Sequence, residues 1–274
     1  MTPGHGRLEV ARVAGASAAV VVRGAAPLRL LVPRPRGLAV WGWAASLGGG
    51  LVSGDALHLD VAVGADARCY LGTQASTKVY RQGRHAGAHQ TVRATVAAGG
   101  LLALLPEHLT AFRDARLTQV TDVDVTAGGS AVVLDWYSAG RPAHRADEVW
   151  AARHLSTQVR LTVDGALRLH DHTVLAPAPG RPSVAQRMGR VRVVASLAAV
   201  GPLTAPLRAW LGAHPAPPTR AGQPVVESLA PLGAEGVLWR LAGEAVAPVA
   251  QRLRAATASL GEVLGGDPNR AQLG

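Results

Sequence analysis

His170, Asp171 and His172 stand consecutively, a few residues after an Asp164-Gly165 turn, in a chain of 274 residues that holds ten histidines. On an extended strand His170 and His172 point to one face and Asp171 to the other. Two imidazoles on one face suit a borderline metal such as nickel. The simpler reading is an ordinary pair of polar strand residues. Three carboxylates raise a related question: Asp55 ends a glycine turn, Asp135 interrupts AVVLDWY, and Asp171 interrupts LRLHDHTVL. A carboxylate among apolar neighbours is unfavourable unless it is paired, hydrogen-bonded or hydrated. Each therefore accepts backbone amides, pairs with an arginine such as Arg141, or lines a hydrated passage.

A second concentration of polar groups lies in GTQASTKVYR, where Thr73, Gln74, Ser76, Thr77, Lys78, Tyr80 and Arg81 follow one another closely; Lys78 is the only lysine. The run lacks the second glycine and the hydroxyl after lysine that a phosphate loop needs. Gly48, Gly49 and Gly50, with Gly54 beyond them, precede a strand rather than a helix, which makes them a turn and not an anion cradle. No nucleophile elbow or HExxH zinc site occurs, and serine, histidine and aspartate show no triad spacing. His85 and His89 have helical spacing, but Gly83 and Gly87 make that segment a loop with both histidines in solvent. Cys69, the lone cysteine, reads as a small buried strand residue. No enzyme emerges from these residues.

The elements that must carry them are mostly strands. Leu57, Leu59, Val61 and Val63 alternate with His58, Asp60 and Ala62, the period of a half-buried strand, and Ala67 to Leu71 returns as a second. VAVGADARCYL, ATVAAGGLLALL, VDVTAGGSAVVL and LTVDGALRL repeat one design of strand, glycine turn and strand. Read as hairpins, they need to stack on neighbours to bury their apolar faces. Leu8 to Val10, Ala18 to Val22 and Leu28 to Val32 add strands before them. The expected fold is therefore mainly β, with stacked hairpins in a layered, β-helix-like body over 1–200, all in one domain of 1–274.

Residues 201–264 change period. Leu203, Leu207, Trp210 and Leu211 follow helical spacing, with Thr204 as a candidate N-cap. After a proline-rich connector at 214–224, Val246, Val249, Ala250, Leu253, Ala256, Leu260 and Leu264 trace the apolar stripe of a second helix. That stripe either packs on the sheet or binds a partner. The tail 265–274 reads as mobile.

The formal charge is +10, yet no basic run exceeds two residues, and one phenylalanine with three tyrosines offers few stacking platforms. Nucleic-acid binding is thereby disfavoured, and an acidic protein partner suits the basic surface better. No apolar stretch is long enough to span a membrane. Thr2 to Arg12 lacks the apolar segment of a signal peptide, so a cytoplasmic location is expected.

The segment GGGLVSGDALHLDVAVGADARCYLGTQASTKVYR, residues 48–81, resembles the urease accessory protein UreD family (called UreH in some organisms), whose members carry a glycine turn, an alternating strand and a TTQA-x-TKVYR-like run. Weaker likeness continues through LLALLPEHLTAFRDARLTQ, VVLDWYSAGR and LTVDGALRLHDHTVL. The resemblance implies a β-rich, non-catalytic scaffold with no tightly bound cofactor. It implies binding of UreF and urease apoprotein in a dimeric hetero-complex, with nickel arriving from the GTPase UreG through UreF. It also implies a hydrated nickel passage, for which Asp55, Thr77, Asp135 and Asp171 are the matching wall positions. PEHLTAF stands where the family often reads PQPTIPF, His170 and His172 are atypical, and the usual PRIW-like ending is absent. A metal-dependent hydrolase built on His170 and His172, and a partner-binding β-domain without a metal role, are the rival readings.

Overall fold

The apolar and polar residues that alternate along Ala56–Val63 do form a strand with one buried and one half-exposed face, and the same pattern recurs along most of the chain. The computed structural model describes residues 2–270, apart from 35–36, 82, 84–85, 143 and 221. His85 and the last tail residues, 271–274, lie outside that set. The chain opens with β1 (His5–Val13), β2 (Ala16–Gly24), β3 (Leu28–Leu31), β4 (Val40–Ser46), β5 (Ala56–Val63), β6 (Arg68–Thr73) and β7 (Thr77–Val79). It continues through β8 (Ala88–Val96), β9 (Leu101–Leu104), β10 (Leu109–Ala111), β11 (Arg116–Val125), β12 (Ser130–Ser138), β13 (His154–Val163) and β14 (Ala166–Leu175). The remainder is α1 (Val184–Met188), β15 (Val193–Val200), α2 (Ala205–Ala213), β16 (Val225–Pro231), β17 (Gly236–Gly243), α3 (Val246–Thr257) and α4 (Gly261–Leu264).

The fold is mainly β and consists of two sheets. One has the order β14-β13-β11-β8-β5-β1-β2; the other runs β16-β17-β15-β12-β9-β6-β4-β3, with β7 and β10 attached at its margin through β12. From β4 to β13 the chain crosses repeatedly from one sheet to the other. Equivalent strands of successive turns pair in parallel, β5 with β8, β8 with β11 and β11 with β13 in one sheet, and β4 with β6, β6 with β9 and β9 with β12 in the other. This is a β-helix-like coil.

The coil corrects one expectation. VAVGADARCYL, ATVAAGGLLALL and VDVTAGGSAVVL are corners between sheets, since β5 and β6, β8 and β9, and β11 and β12 are not paired with each other. Only LTVDGALRL, which joins β13 to β14, is the antiparallel hairpin expected of all four. A glycine turn serves either geometry. The corner lets two consecutive apolar faces meet across the core instead of lying side by side in one layer. Corners stack on corners: the amide of Asp66 donates to Ala98 O (3.2 Å) and that of Gly99 to Gly128 O (3.0 Å). Gly99 has φ +69°, a conformation that favours glycine, and a Cβ there would displace the Asp66 carboxylate, lying 2.0 Å from its Oδ1.

Two apolar layers result. Leu8, Val61, Val63, Cys69, Leu102, Val123, Val133 and Leu161 fill the space between the sheets. On the far side of the second sheet, Val132, Leu134, Leu197 and Trp239 meet Leu207 and Leu211 of α2 and Val249, Ala250, Leu253 and Ala256 of α3. The stripe predicted from Val246 to Leu264 is thus covered by the sheet. It is not one helix, because a 3₁₀ turn at Ala258–Leu260 separates α3 from α4. Thr204 precedes α2 without capping it; its hydroxyl donates to Gly201 O at 2.7 Å. The short helix α1, with a Ser183–Gln186 capping box, and the β16–β17 hairpin were not anticipated. No helix among the described residues is long and apolar enough to cross a membrane.

Candidate functional site

Within the layer between the sheets, one transverse row breaks the apolar pattern. Leu57, Gln90, Gln119, Thr157 and Thr173 are register partners on β5, β8, β11, β13 and β14. The row on one side, Ala88, Leu117, Leu155 and Leu175, is apolar; the row on the other, Leu59, Val92, Thr121, Val159 and Asp171, adds two polar residues. Neighbouring strands are about 4.8 Å apart, so four steps carry this row roughly 19 Å across the sheet. Opposite it, the second sheet sets Asp135, Ser196 and Arg240 in register on β12, β15 and β17. Alternation explains both rows, because the polar residues occupy inward positions of strands whose other inward residues are Val, Leu and Ala.

The two rows touch. Gln119 Nε2 donates to Asp135 Oδ1 at 2.8 Å, and Thr157 also bonds the Asp135 carboxylate. Ser196 Oγ donates to Asp171 Oδ2 at 3.0 Å, and Arg240 reaches the same oxygen at 3.1 Å with half of its side chain exposed. Burial raises the Asp135 pKa to about 6, and the negative charge of Asp171 adds to the rise, against the lowering effect of the Thr157 and Gln119 hydrogen bonds. Tyr137 is likewise pushed up to about 12 by burial. A cavity of about 80 Å³ lies along the Leu57, Gln90 and Gln119 part of the row, lined also by Thr73, Thr77, Thr121 and Asp135. That volume holds several waters at the ~10–15 Å³ each requires by this measure.

The residues singled out from sequence are distributed as follows. Asp135 and Thr77 line the cavity, while Asp171 lies on β14 outside its lining and meets Ser196 and Arg240. Asp55 is elsewhere: its Oδ2 accepts the Val52 amide at 2.8 Å and its carbonyl accepts the His89 amide at 2.8 Å, which closes the turn before β5. The expected arginine partner for the carboxylates, Arg141, instead pairs with Glu148 at 2.7 Å. Gly49, Gly50 and Gly54 all have positive φ. Gly50 is the tightest, since a Cβ there would lie 2.5 Å from Lys78 O. The GTQASTKVYR run is split. Gln74, Lys78 and Arg81 are exposed, while Tyr80 stands edge-on to Phe112 with ring centres 5.3 Å apart.

His170 and His172 share the outer face of the first sheet, with rings nearly parallel and centres 6.3 Å apart. Asp171 faces inward beneath them. His172 Nε2 is 3.0 Å from Ser156 Oγ. Among the described residues no three His, Cys, Asp or Glu side chains meet in a way that could hold a metal ion, so the hydrolase reading lacks its third ligand. Cys69 is buried, and burial raises its pKa to about 12, which leaves the thiol inert.

Sequence reasoning missed Gln90, Gln119, Thr157, Ser196 and Arg240. Strict alternation was the available signal: Gln119 and Thr121 fall in phase with Leu117 and Val123, which places them inward.

Comparison with known proteins places this geometry in a family. The family model described as "UreD urease accessory protein" matches residues 2–273. The chain is 41% identical over 265 residues to the urease accessory protein UreD of Sorangium cellulosum, covering 97% of this chain and 83% of that protein. It is 40% identical over 266 residues to the same-named protein of Anaeromyxobacter sp., covering 97% and 88%. A plant relative, urease accessory protein D of Oryza sativa subsp. indica, is 29% identical over 96% of this chain and 94% of its own length.

Proposed function

The chain belongs to the UreD family of urease accessory proteins, and we propose that it acts in urease maturation as a non-catalytic scaffold that also forms a passage for nickel. In this reading it binds UreF and the urease apoprotein in the cytoplasm, within a dimeric hetero-complex, and receives nickel delivered by UreG through UreF. Nickel is cargo, not a resident cofactor. The observation that carries the passage is the pair of facing polar rows inside an otherwise apolar core, with Asp135 at their point of contact.

The chemistry of the rows suits transit. Asp135 and Asp171 are the charged ligands, while Thr77, Gln90, Gln119, Thr157 and Ser196 supply neutral oxygens that replace lost hydration. Spaced oxygen donors compensate an ion without trapping it, whereas a closed set of imidazoles would hold it. Gln119 and Thr157 orient the Asp135 carboxylate. Asp55, Gly49, Gly50 and Gly54 shape the turn beside the exposed Lys78 and Arg81, which together with the net charge of +10 suit an acidic partner surface.

Co-purification of the tagged chain after co-expression with urease subunits and a UreF-like protein, with and without the latter, tests the scaffold. Capture of both is expected. A folded chain that retains neither contradicts the reading. A partner-binding domain without a passage would give the same capture but full urease activation by a Gln119→Leu variant, which removes the donor to Asp135. The passage predicts at least a tenfold loss with that variant.

A further inference from the structure

The interior cavity shares a wall with an outer groove. Thr73, Pro106, Glu107, Leu134 and Trp136 line both the cavity and a groove of about 450 Å³ between the second sheet and α3. His108 lines the groove as well. Glu107 and His108 are held from several sides. Thr73 Oγ1 accepts the Glu107 amide at 2.9 Å, and His108 O accepts the Thr77 amide at 3.1 Å. The His108 ring stands edge-on to Trp136 with centres 5.1 Å apart, and Trp136 Nε1 donates to Pro106 O at 2.8 Å.

One atom of this arrangement lacks a counterpart. His108 Nδ1 is buried and has no hydrogen-bond partner, an arrangement that costs about 1–3 kcal/mol when nothing compensates it. Burial also lowers the His108 pKa, with the Glu107 charge opposing. Glu107 lines the groove together with Trp43, Tyr70 and Trp136.

We propose that Glu107 and His108 form an entry site for a borderline divalent cation, at the wall between the outer groove and the interior cavity. The proposal rests on the passage reading and adds a point of loading to it. One imidazole and one carboxylate favour Ni²⁺, Co²⁺ or Zn²⁺ over Mg²⁺ and Ca²⁺. With only two protein ligands and water completing the shell, the ion stays exchangeable. The cavity that Glu107 lines also carries oxygens of Thr73, Thr77 and Asp135.

Equilibrium dialysis of the untagged full-length chain against Ni²⁺ tests this, in a His170→Asn/His172→Asn background that silences the outer imidazole pair. The parent is expected to bind one Ni²⁺ per chain. His108→Asn and Glu107→Gln should each weaken that binding at least tenfold, and Glu107→Gln guards against a folding defect because it keeps shape. Parent binding that both variants retain within twofold overturns the entry site, as does a parent that binds none. Urease activation by Asp135→Asn is read separately. Loss of activation alongside unchanged Ni²⁺ binding by His108→Asn would leave the passage standing and remove only its entry site. Full activation by Asp135→Asn would instead remove the passage.

Discussion

The two faces of β12 live in different surroundings. Val132, Leu134 and Trp136 face the helices in a layer with Leu197, Leu207, Trp239 and Leu253. Val133, Asp135 and Tyr137 face the first sheet, where Asp135 meets Gln119 and Thr157 beside a cavity. One strand thus joins a close-packed layer to a layer that keeps polar groups and space. Burying the carboxylate is unfavourable, as its raised pKa records, and a core selected for stability alone would place an aliphatic residue there. The helix side supplies the stability that the sheet-to-sheet side forgoes.

Truncation on the helix side should break this contrast most severely. Trp239 is fully buried, and its Nε1 donates to Glu227 at 3.0 Å, a carboxylate that Arg252 also holds. Trp239→Ala should cost about 3–5 kcal/mol in urea unfolding, through the cavity it leaves. A loss under 1 kcal/mol would mean that the helix layer is not the stable one.

A pH series sharpens the contrast from the other side. The Asp135 pKa is raised from 3.8 to about 6 in the folded chain, so between these values the folded state holds a proton that the unfolded state has released. The contribution of this group is most favourable below about pH 4 and is lost as pH rises through 6. Wild type should therefore lose about 2 kcal/mol relative to Asp135→Asn between pH 4 and 7.5. The comparison with the variant cancels other carboxylates, such as Glu148, whose hydrogen bond and ion pair with Arg141 lower its pKa and shift stability in the opposite direction. An unchanged difference across that range would place Asp135 in bulk-like solvent.

Gly50→Ala should cost about 1–3 kcal/mol, because φ is +156° there and the new Cβ would press on Lys78 O. The smallest effect is expected on the outer face of the first sheet. There Arg7, Asp60, Arg93, Asp122 and Arg160 form a row of alternating charge across five strands. Asp60→Asn should change stability by about 0.5 kcal/mol or less, and added salt should erase the difference.

What could be read from the sequence followed from periodicity. Leu57 to Val63 and the stripe from Val249 to Leu264 announced their buried faces because one side of each element is consistently apolar. The corners could not be told from hairpins, since Gly64, Gly99 and Gly128 satisfy either turn and the choice depends on which strand lies next in space. The β16–β17 hairpin escaped notice because Val225–Pro231 is half-buried to exposed and carries no strict alternation. Asp135 and Asp171 stood out as charges in apolar runs. Gln119 and Thr157 did not, because a neutral polar residue in a strand stands out only through its phase with the apolar residues around it. Glu107 and His108 lie in the connector from β9 to β10, and the edge-on contact of His108 with Trp136 of β12 is one that no local pattern encodes.

The most direct test is the nickel content of urease matured by the intact complex carrying Asp135→Asn. The amide keeps the shape of the side chain and removes its charge. Capture of UreF and urease at the wild-type level, with nickel per active site reduced at least tenfold, is the predicted result. Wild-type nickel content would contradict the claim that the polar interior carries the cargo.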